Sequence, residues 1–133
     1  MIKLFIGGKG SGKTKTLIEL TNAAAESSKG SVVCIERGEK LRHEITYKAR
    51  LIDTDEFGIV DAEALYGFIA GILASNSDIT DLFIDSSLKI CGNDVVAFEE
   101  MLKKLEPITK DVNLVMTVSI AVEDCPAAIK AYA

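Results

Sequence analysis

The sequence contains little of several residue types, among them cysteine and histidine, which cross-link small domains through disulfides or metal ions. Its 133 residues include no tryptophan, two prolines, one histidine and three cysteines. Cys34, Cys91 and Cys125 are far apart and odd in number, and no C-x-x-C pattern occurs, so the sequence predicts neither a disulfide framework nor a cysteine–histidine metal site. A chain of this length can bury enough surface without such cross-links. We therefore expect Cys34, which lies in an apolar run, to be a small core residue.

Basic charge is also scarce. Lysine and arginine total 15 against 20 acidic residues, which gives a net charge of −5. This balance argues against general affinity for nucleic acid, which requires a basic face. The three arginines all lie within residues 36–50, together with two lysines and three glutamates. The simplest interpretation of that segment is a solvated, charged loop.

Long apolar runs are missing as well. The longest uncharged stretch, residues 64–77, has 14 residues, which is too short for a membrane span and fits a buried helix. The apolar start of the chain is too short for a signal peptide. We therefore expect a cytoplasmic protein without a membrane span.

Glycine, in contrast, is concentrated in "GGKGSGKT", residues 7–14. The spacing of Gly7, Gly12, Lys13 and Thr14 matches G-x-x-x-x-G-K-[ST], the P-loop or Walker A pattern. In this pattern backbone N–H groups surround a polyphosphate, the lysine reaches the β- and γ-phosphates, and the hydroxyl binds Mg²⁺. The alternative is a glycine-rich turn that binds nothing. The predicted nucleotide-binding residues are Gly7, Gly8, Lys9, Gly10, Ser11, Gly12, Lys13 and Thr14.

The surrounding pattern predicts a single α/β domain over residues 1–133. Apolar runs alternate with segments of helical spacing, which is typical of a parallel five-stranded sheet sandwiched by helices. Strands are predicted at residues 2–6, 31–36, 47–53, 81–87 and 113–120. Helices are predicted from Lys15 to a stop near Gly30, over 61–75 with Asp61 as N-cap, over 93–107 with Asn93 as N-cap, and from Pro126. Gly67 and Gly71 would let the second helix pack closely on the sheet.

A second acidic motif accompanies the glycine-rich stretch. "DLFID" is an apolar run that ends in Asp85, and it matches the Walker B pattern, in which an aspartate next to a P-loop helps to hold the metal. The carboxyl edge of a parallel sheet is where ligands bind. We therefore predict Thr14 and Asp85 as the metal-binding residues, with the strand before Asp85 next to the first strand. Alternatively, Asp85 caps a turn with Ser86 and Ser87.

The order of these elements resembles the RecA-like branch of P-loop ATPases, and it is similar to short bacterial P-loop proteins of unassigned role. The resemblance lies in the P-loop, in "ARLIDTDEFG…DLFIDSS" (residues 49–87) and in "NLVMTVSI" (residues 113–120). Many ATPases have a catalytic glutamate directly after the Walker B aspartate, but this position is Ser86 here. The RecA-like resemblance implies instead a catalytic carboxylate at the end of the second strand, where Glu36 lies. It also implies a polar sensor on the last strand, which is Thr117 or Ser119 here. The alternative for Glu36 is a strand-end charge that faces solvent.

The sequence thus predicts an ATP-binding protein of minimal RecA-like fold that acts as a slow Mg²⁺-dependent ATPase. Glu36 and Lys13 are its candidate catalytic residues, and ATP and Mg²⁺ are its expected ligands. One alternative is a nucleotide-binding switch or accessory subunit that does not hydrolyse ATP. Another is a small-molecule kinase with residues 36–50 as its lid. A homo-oligomer or an unknown protein partner could supply an arginine finger, for which Arg37, Arg42 and Arg50 are the candidates within this sequence.

Overall fold

The computed structural model describes all 133 residues and forms a five-stranded sheet in which every pairing is parallel. The strands lie in the order β1-β5-β4-β2-β3. The α/β class and the parallel five-stranded sheet are therefore confirmed. In chain order the elements are β1 (Ile2–Gly7), α1 (Lys13–Ser27), β2 (Ser31–Glu36), β3 (Arg50–Asp53), α2 (Ala62–Ser75), β4 (Ile79–Ile84), α3 (Ser87–Ile90), α4 (Val95–Leu105), β5 (Asn113–Ser119) and α5 (Ala127–Lys130).

Helices cover both faces of the sheet. Successive strand residues point to opposite sides, so each buried strand contributes side chains to two separate clusters. Val33 and Ile35 belong to a cluster of 22 buried residues that includes Leu65 of α2 and Phe98 of α4. The intervening strand residues belong to a second cluster of six buried residues on the α1 side. The six are Leu17, Val32, Cys34, Leu41, Ala49 and Phe83. Cys34 is thus a core residue, as predicted.

The position of β4 differs from the expectation. The strand before Asp85 was predicted next to the first strand, but β5 pairs with both and separates them. The burial of β5 and the exposure of β1 fit this order. Leu114 and Met116 of β5 are fully buried, which suits a central strand, whereas Lys3 of β1 is exposed, which suits an edge strand.

Several of the predicted element boundaries are wrong. The strand predicted at residues 81–87 spans Ile79–Ile84, and Ser87 already belongs to α3. The N-cap of α4 is Asp94, whose side chain accepts the N–H of Ala97, whereas Asn93 lies one residue earlier in the left-handed region with φ 60°. Strand β3 begins at Arg50 instead of residue 47, because residues 46–49 form a turn closed by the Ala49 N–H and the Thr46 carbonyl. The predicted Asp61 cap of α2 is confirmed by its bond to the N–H of Ala64.

Three glycines have roles other than those predicted. A Cβ at Gly30 would lie 2.1 Å from the Asp78 carbonyl oxygen, so this glycine permits close approach of two backbones; α1 has already ended at Ser27. Gly67 and Gly71 were expected to let α2 pack closely on the sheet, but both are exposed and a Cβ would meet nothing within 4 Å. None of the helices combines the length and the apolar character needed to cross a membrane.

Candidate functional site

The glycine-rich loop, residues 7–14, joins β1 to α1 at the carboxyl edge of the sheet. Gly10 and Gly12 both have φ +83°, a conformation that residues with a side chain rarely adopt. At Gly7, an added Cβ would lie 2.7 Å from the Ser11 side-chain oxygen. The concentration of glycine therefore has a local cause: Gly10 and Gly12 need a positive φ, and a side chain at Gly7 would require that of Ser11 to move.

Lys13 is the first residue of α1, and its side chain turns back over the loop. Its Nζ donates to the Gly8 carbonyl oxygen at 3.0 Å and to Ser11 Oγ at 3.3 Å. Both contacts are exposed and involve neutral acceptors. The ammonium group therefore lies at the mouth of the loop without a carboxylate partner.

Asp85 follows β4 and reaches the glycine-rich loop across the end of β5. The hydroxyl of Thr14 donates to Asp85 Oδ1 at 3.1 Å, although 71 residues separate the two in sequence. Asp85 is 9% exposed, and its Oδ1 also accepts the Thr117 hydroxyl at 2.7 Å. The structure thus brings together the two predicted metal-binding residues, and Asp85 is more than a cap for the turn that follows it.

Glu36 ends β2 and is 3% exposed, so the alternative of a solvent-facing charge is wrong. Both of its carboxylate oxygens accept the N–H of Leu41, each at 3.2 Å. Burial raises the pKa of Glu36, the N–H of Leu41 opposes this, and the negative charges of Asp53 and Asp85 raise it further. The side chain is therefore fixed in direction and takes up a proton more readily than an exposed glutamate.

These groups line one cleft of about 400 Å³. Its acidic residues are Glu36 and Asp85. Its basic residues are Lys9, Lys13, Arg37, Lys40 and Lys89. Five cations against two carboxylates is an excess of positive charge in a chain whose net charge is −5. The cleft therefore favours an anionic ligand with several charges.

Several cleft residues were not predicted from the sequence. Lys40 lies in the loop after β2, and Lys89 lies on the four-residue helix α3, which has too few residues for a periodic signal. Of the arginines, Arg37 lines the cleft and forms an exposed ion pair with Asp55 at 3.6 Å. Arg42 instead pairs with Glu39, and Arg50 begins β3.

The two sensor candidates on β5 occupy different environments. Thr117 is buried, and its hydroxyl is engaged by Asp85 and by the N–H of Ser86. Ser119 is exposed and lines the cleft. Only Ser119 therefore offers a free side chain from this strand to a ligand in the cleft.

Oxygen ligands for a cation occur at two places. One is the pair of Thr14 and Asp85 described above. The other is a group of three carboxylates, Glu39, Asp53 and Glu56, with oxygens within 4.8 Å of one another. In that group Asp53 Oδ1 already accepts the N–H groups of Gly38 and Asp55, and both glutamates are exposed. The first pair lies with the phosphate-binding pattern and is the better candidate.

No protein-family model matches this chain, and no curated protein sequence matches it.

Proposed function

We propose that the protein is a P-loop nucleotide-binding protein of RecA-like type that binds ATP with Mg²⁺ in this cleft and hydrolyses it slowly. One observation carries the proposal: four residues of the glycine-rich loop line a single cleft together with three further cations, Asp85 and the buried Glu36. The four loop residues are Lys9, Gly10, Lys13 and Thr14, and Thr14 bonds to Asp85. A loop with positive-φ glycines at the start of a helix suits a polyphosphate. The cations offset its charge.

The residues of the loop have distinct tasks in this proposal. Lys13 exchanges its two neutral acceptors for phosphate oxygens, which are stronger partners because they are charged. Thr14 and Asp85 supply a hydroxyl and a carboxylate, the oxygen ligands that Mg²⁺ accepts. Bound Mg²⁺ would neutralise negative charge on the phosphates.

Glu36 is the proton acceptor in this proposal. The N–H of Leu41 holds its carboxylate in one direction, and burial together with Asp53 and Asp85 raises its pKa. A carboxylate of this kind can orient a water molecule and remove its proton as that water attacks the terminal phosphate. As the water oxygen bonds to the terminal phosphorus, the bond between that phosphorus and its bridging oxygen breaks. The proton then resides on Glu36, the bridging oxygen stays on the nucleoside diphosphate, and inorganic phosphate leaves.

A nucleotide-dependent switch with little hydrolysis is the second candidate. The specific observation in its favour is the engagement of the Thr117 hydroxyl with Asp85 and Ser86, which leaves Ser119 as the sole β5 side chain available to a phosphate. The resemblance to RecA-like ATPases implies a longer amide side chain at this sensor position, and a serine reaches less far. A phosphate-release assay, run beside mass spectrometry of retained nucleotide, separates the two candidates.

Calorimetric titration of ATP tests the binding site. Wild-type protein should bind ATP more tightly with Mg²⁺ than in EDTA. Asp85→Asn and Thr14→Ala should each reduce that difference, since each removes or weakens a metal ligand. Asp111→Asn, at an exposed position outside the cleft, is the control. Equal Mg²⁺ dependence in wild type and both cleft variants would show that the metal binds elsewhere.

A further inference from the structure

Thr117 is a buried polar residue at the edge of the cleft, with a side chain that both donates and accepts. It is 1% exposed. Its hydroxyl donates to Asp85 Oδ1 at 2.7 Å and accepts the backbone N–H of Ser86 at 2.7 Å. One hydroxyl thus holds the carboxylate and the backbone of the next residue at the same time.

The backbone held in this way is strained. Ser86 has φ 55° and ψ 45°, the left-handed conformation, which is disfavoured for a residue with a Cβ. This turn ends β4 after Asp85 and begins α3 at Ser87, whose own hydroxyl donates to the Thr117 carbonyl at 2.8 Å. Side chain and backbone of one β5 residue therefore stabilise a turn that sets the direction of Asp85.

The partners of the Asp85 carboxylate are few. Its side-chain oxygens accept hydrogen bonds from two hydroxyls, those of Thr14 and Thr117. If Thr14 directs its oxygen to a metal ion, Thr117 becomes the remaining protein donor that fixes this carboxylate. Groups that orient a metal ligand from behind commonly change metal affinity about 10- to 100-fold when they are removed.

We propose that Thr117 is a positioning residue for the metal-binding carboxylate Asp85, acting through the hydroxyl bond to Asp85 and the strained turn at Ser86. This inference rests on the proposed function of the cleft. It assigns Thr117 a task distinct from sensing phosphate, because the single hydroxyl proton that a phosphate oxygen would accept is already donated to Asp85.

The test compares Thr117→Val with Thr117→Ser. Valine keeps the branched shape and removes the hydroxyl, whereas serine keeps the hydroxyl. ATP affinity is measured by calorimetry over a series of free Mg²⁺ concentrations and in EDTA. We expect Thr117→Val to raise the Mg²⁺ concentration for half-maximal enhancement of ATP binding by about tenfold or more, with ATP affinity in EDTA unchanged. For Thr117→Ser, which keeps the hydroxyl, this Mg²⁺ concentration should stay within about threefold of the wild-type value, below the effect of losing an orienting group.

Thr109→Val is the matched control for a lost buried threonine hydroxyl. Thr109 is fully buried and donates to the Leu105 carbonyl at 2.8 Å, but it precedes β5 at the opposite edge of the sheet. Its replacement should lower the unfolding temperature without changing the Mg²⁺ response. If Thr117→Val does not fold, Thr117→Ala takes its place, because it adds no methyl group next to Asp85.

The possible outcomes distinguish a failure of the inference about Thr117 from a failure of the proposed ATP binding. If wild type shows Mg²⁺-dependent ATP binding and Thr117→Val responds to Mg²⁺ as wild type does, Thr117 is structural and the inference is wrong. An equal shift in Thr109→Val would also overturn it, because the effect would then be general loosening. If wild type binds no ATP in either condition, the proposed function fails, and the inference fails with it.

Discussion

The large core on the α2–α4 face and the carboxyl edge of the sheet differ in what they bury. The core cluster contains 22 buried apolar residues. At the carboxyl edge four of the buried residues are polar or charged, namely Glu36, Asp85, Ser87 and Thr117, and the backbone at Ser86 is left-handed. Apolar burial stabilises a fold, whereas buried charge and strain at a cleft have a cost that a functional site commonly carries. Stability and function should therefore respond to different substitutions.

The largest expected effect is on the core side of this comparison. Phe98 of α4 is fully buried in the large cluster. Phe98→Ala leaves a cavity and should lower the free energy of unfolding by about 3–5 kcal/mol, measured by urea denaturation. At low temperature, where the variant stays folded, its ATP affinity should match wild type. A loss below about 1 kcal/mol, the low end for core truncations, would show that this cluster is not the main source of stability.

Lys13→Ala tests the other region of this comparison, the cleft at the carboxyl edge of the sheet. The lysine contacts only exposed acceptors within its own loop, so the free energy of unfolding should change little. Loss of charge-assisted bonds to phosphate should weaken ATP binding by about 2–3 kcal/mol in a calorimetric titration. Lys15→Ala, two residues along α1 and outside the cleft, is the control and should bind as wild type does. Unchanged affinity in Lys13→Ala would mean that the loop does not bind phosphate.

The smallest expected effect is a stabilisation of the fold by substitutions on α2, away from the cleft. Gly67→Ala and Gly71→Ala place a methyl group in open space on an exposed part of α2. Each should stabilise the fold by about 0.5–1 kcal/mol through helix propensity, seen as a higher unfolding temperature, with ATP binding unaffected.

Gly30→Ala is the contrasting variant. It should destabilise the protein, because its Cβ would lie 2.1 Å from the Asp78 carbonyl oxygen. If all three alanine variants shifted the unfolding temperature in the same direction, the distinction between open and closely approached glycines would be wrong.

The sequence predicted the elements whose cause is local. The apolar run of β5 and the Asp61 cap of α2 could be identified because a strand or a helix start depends on neighbouring residues. The place of β5 between β1 and β4 could not, because it depends on which strands bury which faces. Helix α3 was missed, since it has four residues and follows the strained turn at Ser86.

The candidate site likewise combines local motifs, which could be predicted, with contacts between distant residues, which could not. The glycine spacing predicted the loop, and the apolar run before Asp85 predicted a carboxylate at the sheet edge. The bond from Thr117 to Asp85 joins residues 32 positions apart, and the bond from Thr14 to Asp85 spans 71. Lys40 and Lys89 enter the cleft from a loop and a short helix that carry no motif. Contacts of this kind depend on the sheet order, so no local pattern indicates them.

Single-turnover hydrolysis of bound ATP tests the central claim most directly, because it does not depend on product release. Wild type should cleave ATP above the no-protein control. Glu36→Gln keeps the shape of the side chain and removes its charge, so ATP binding should remain, while cleavage slows by roughly 10²-fold or more. Glu39→Gln, an exposed glutamate outside the cleft, should cleave at the wild-type rate. Cleavage by Glu36→Gln at the wild-type rate, or no cleavage by wild type, would contradict the account.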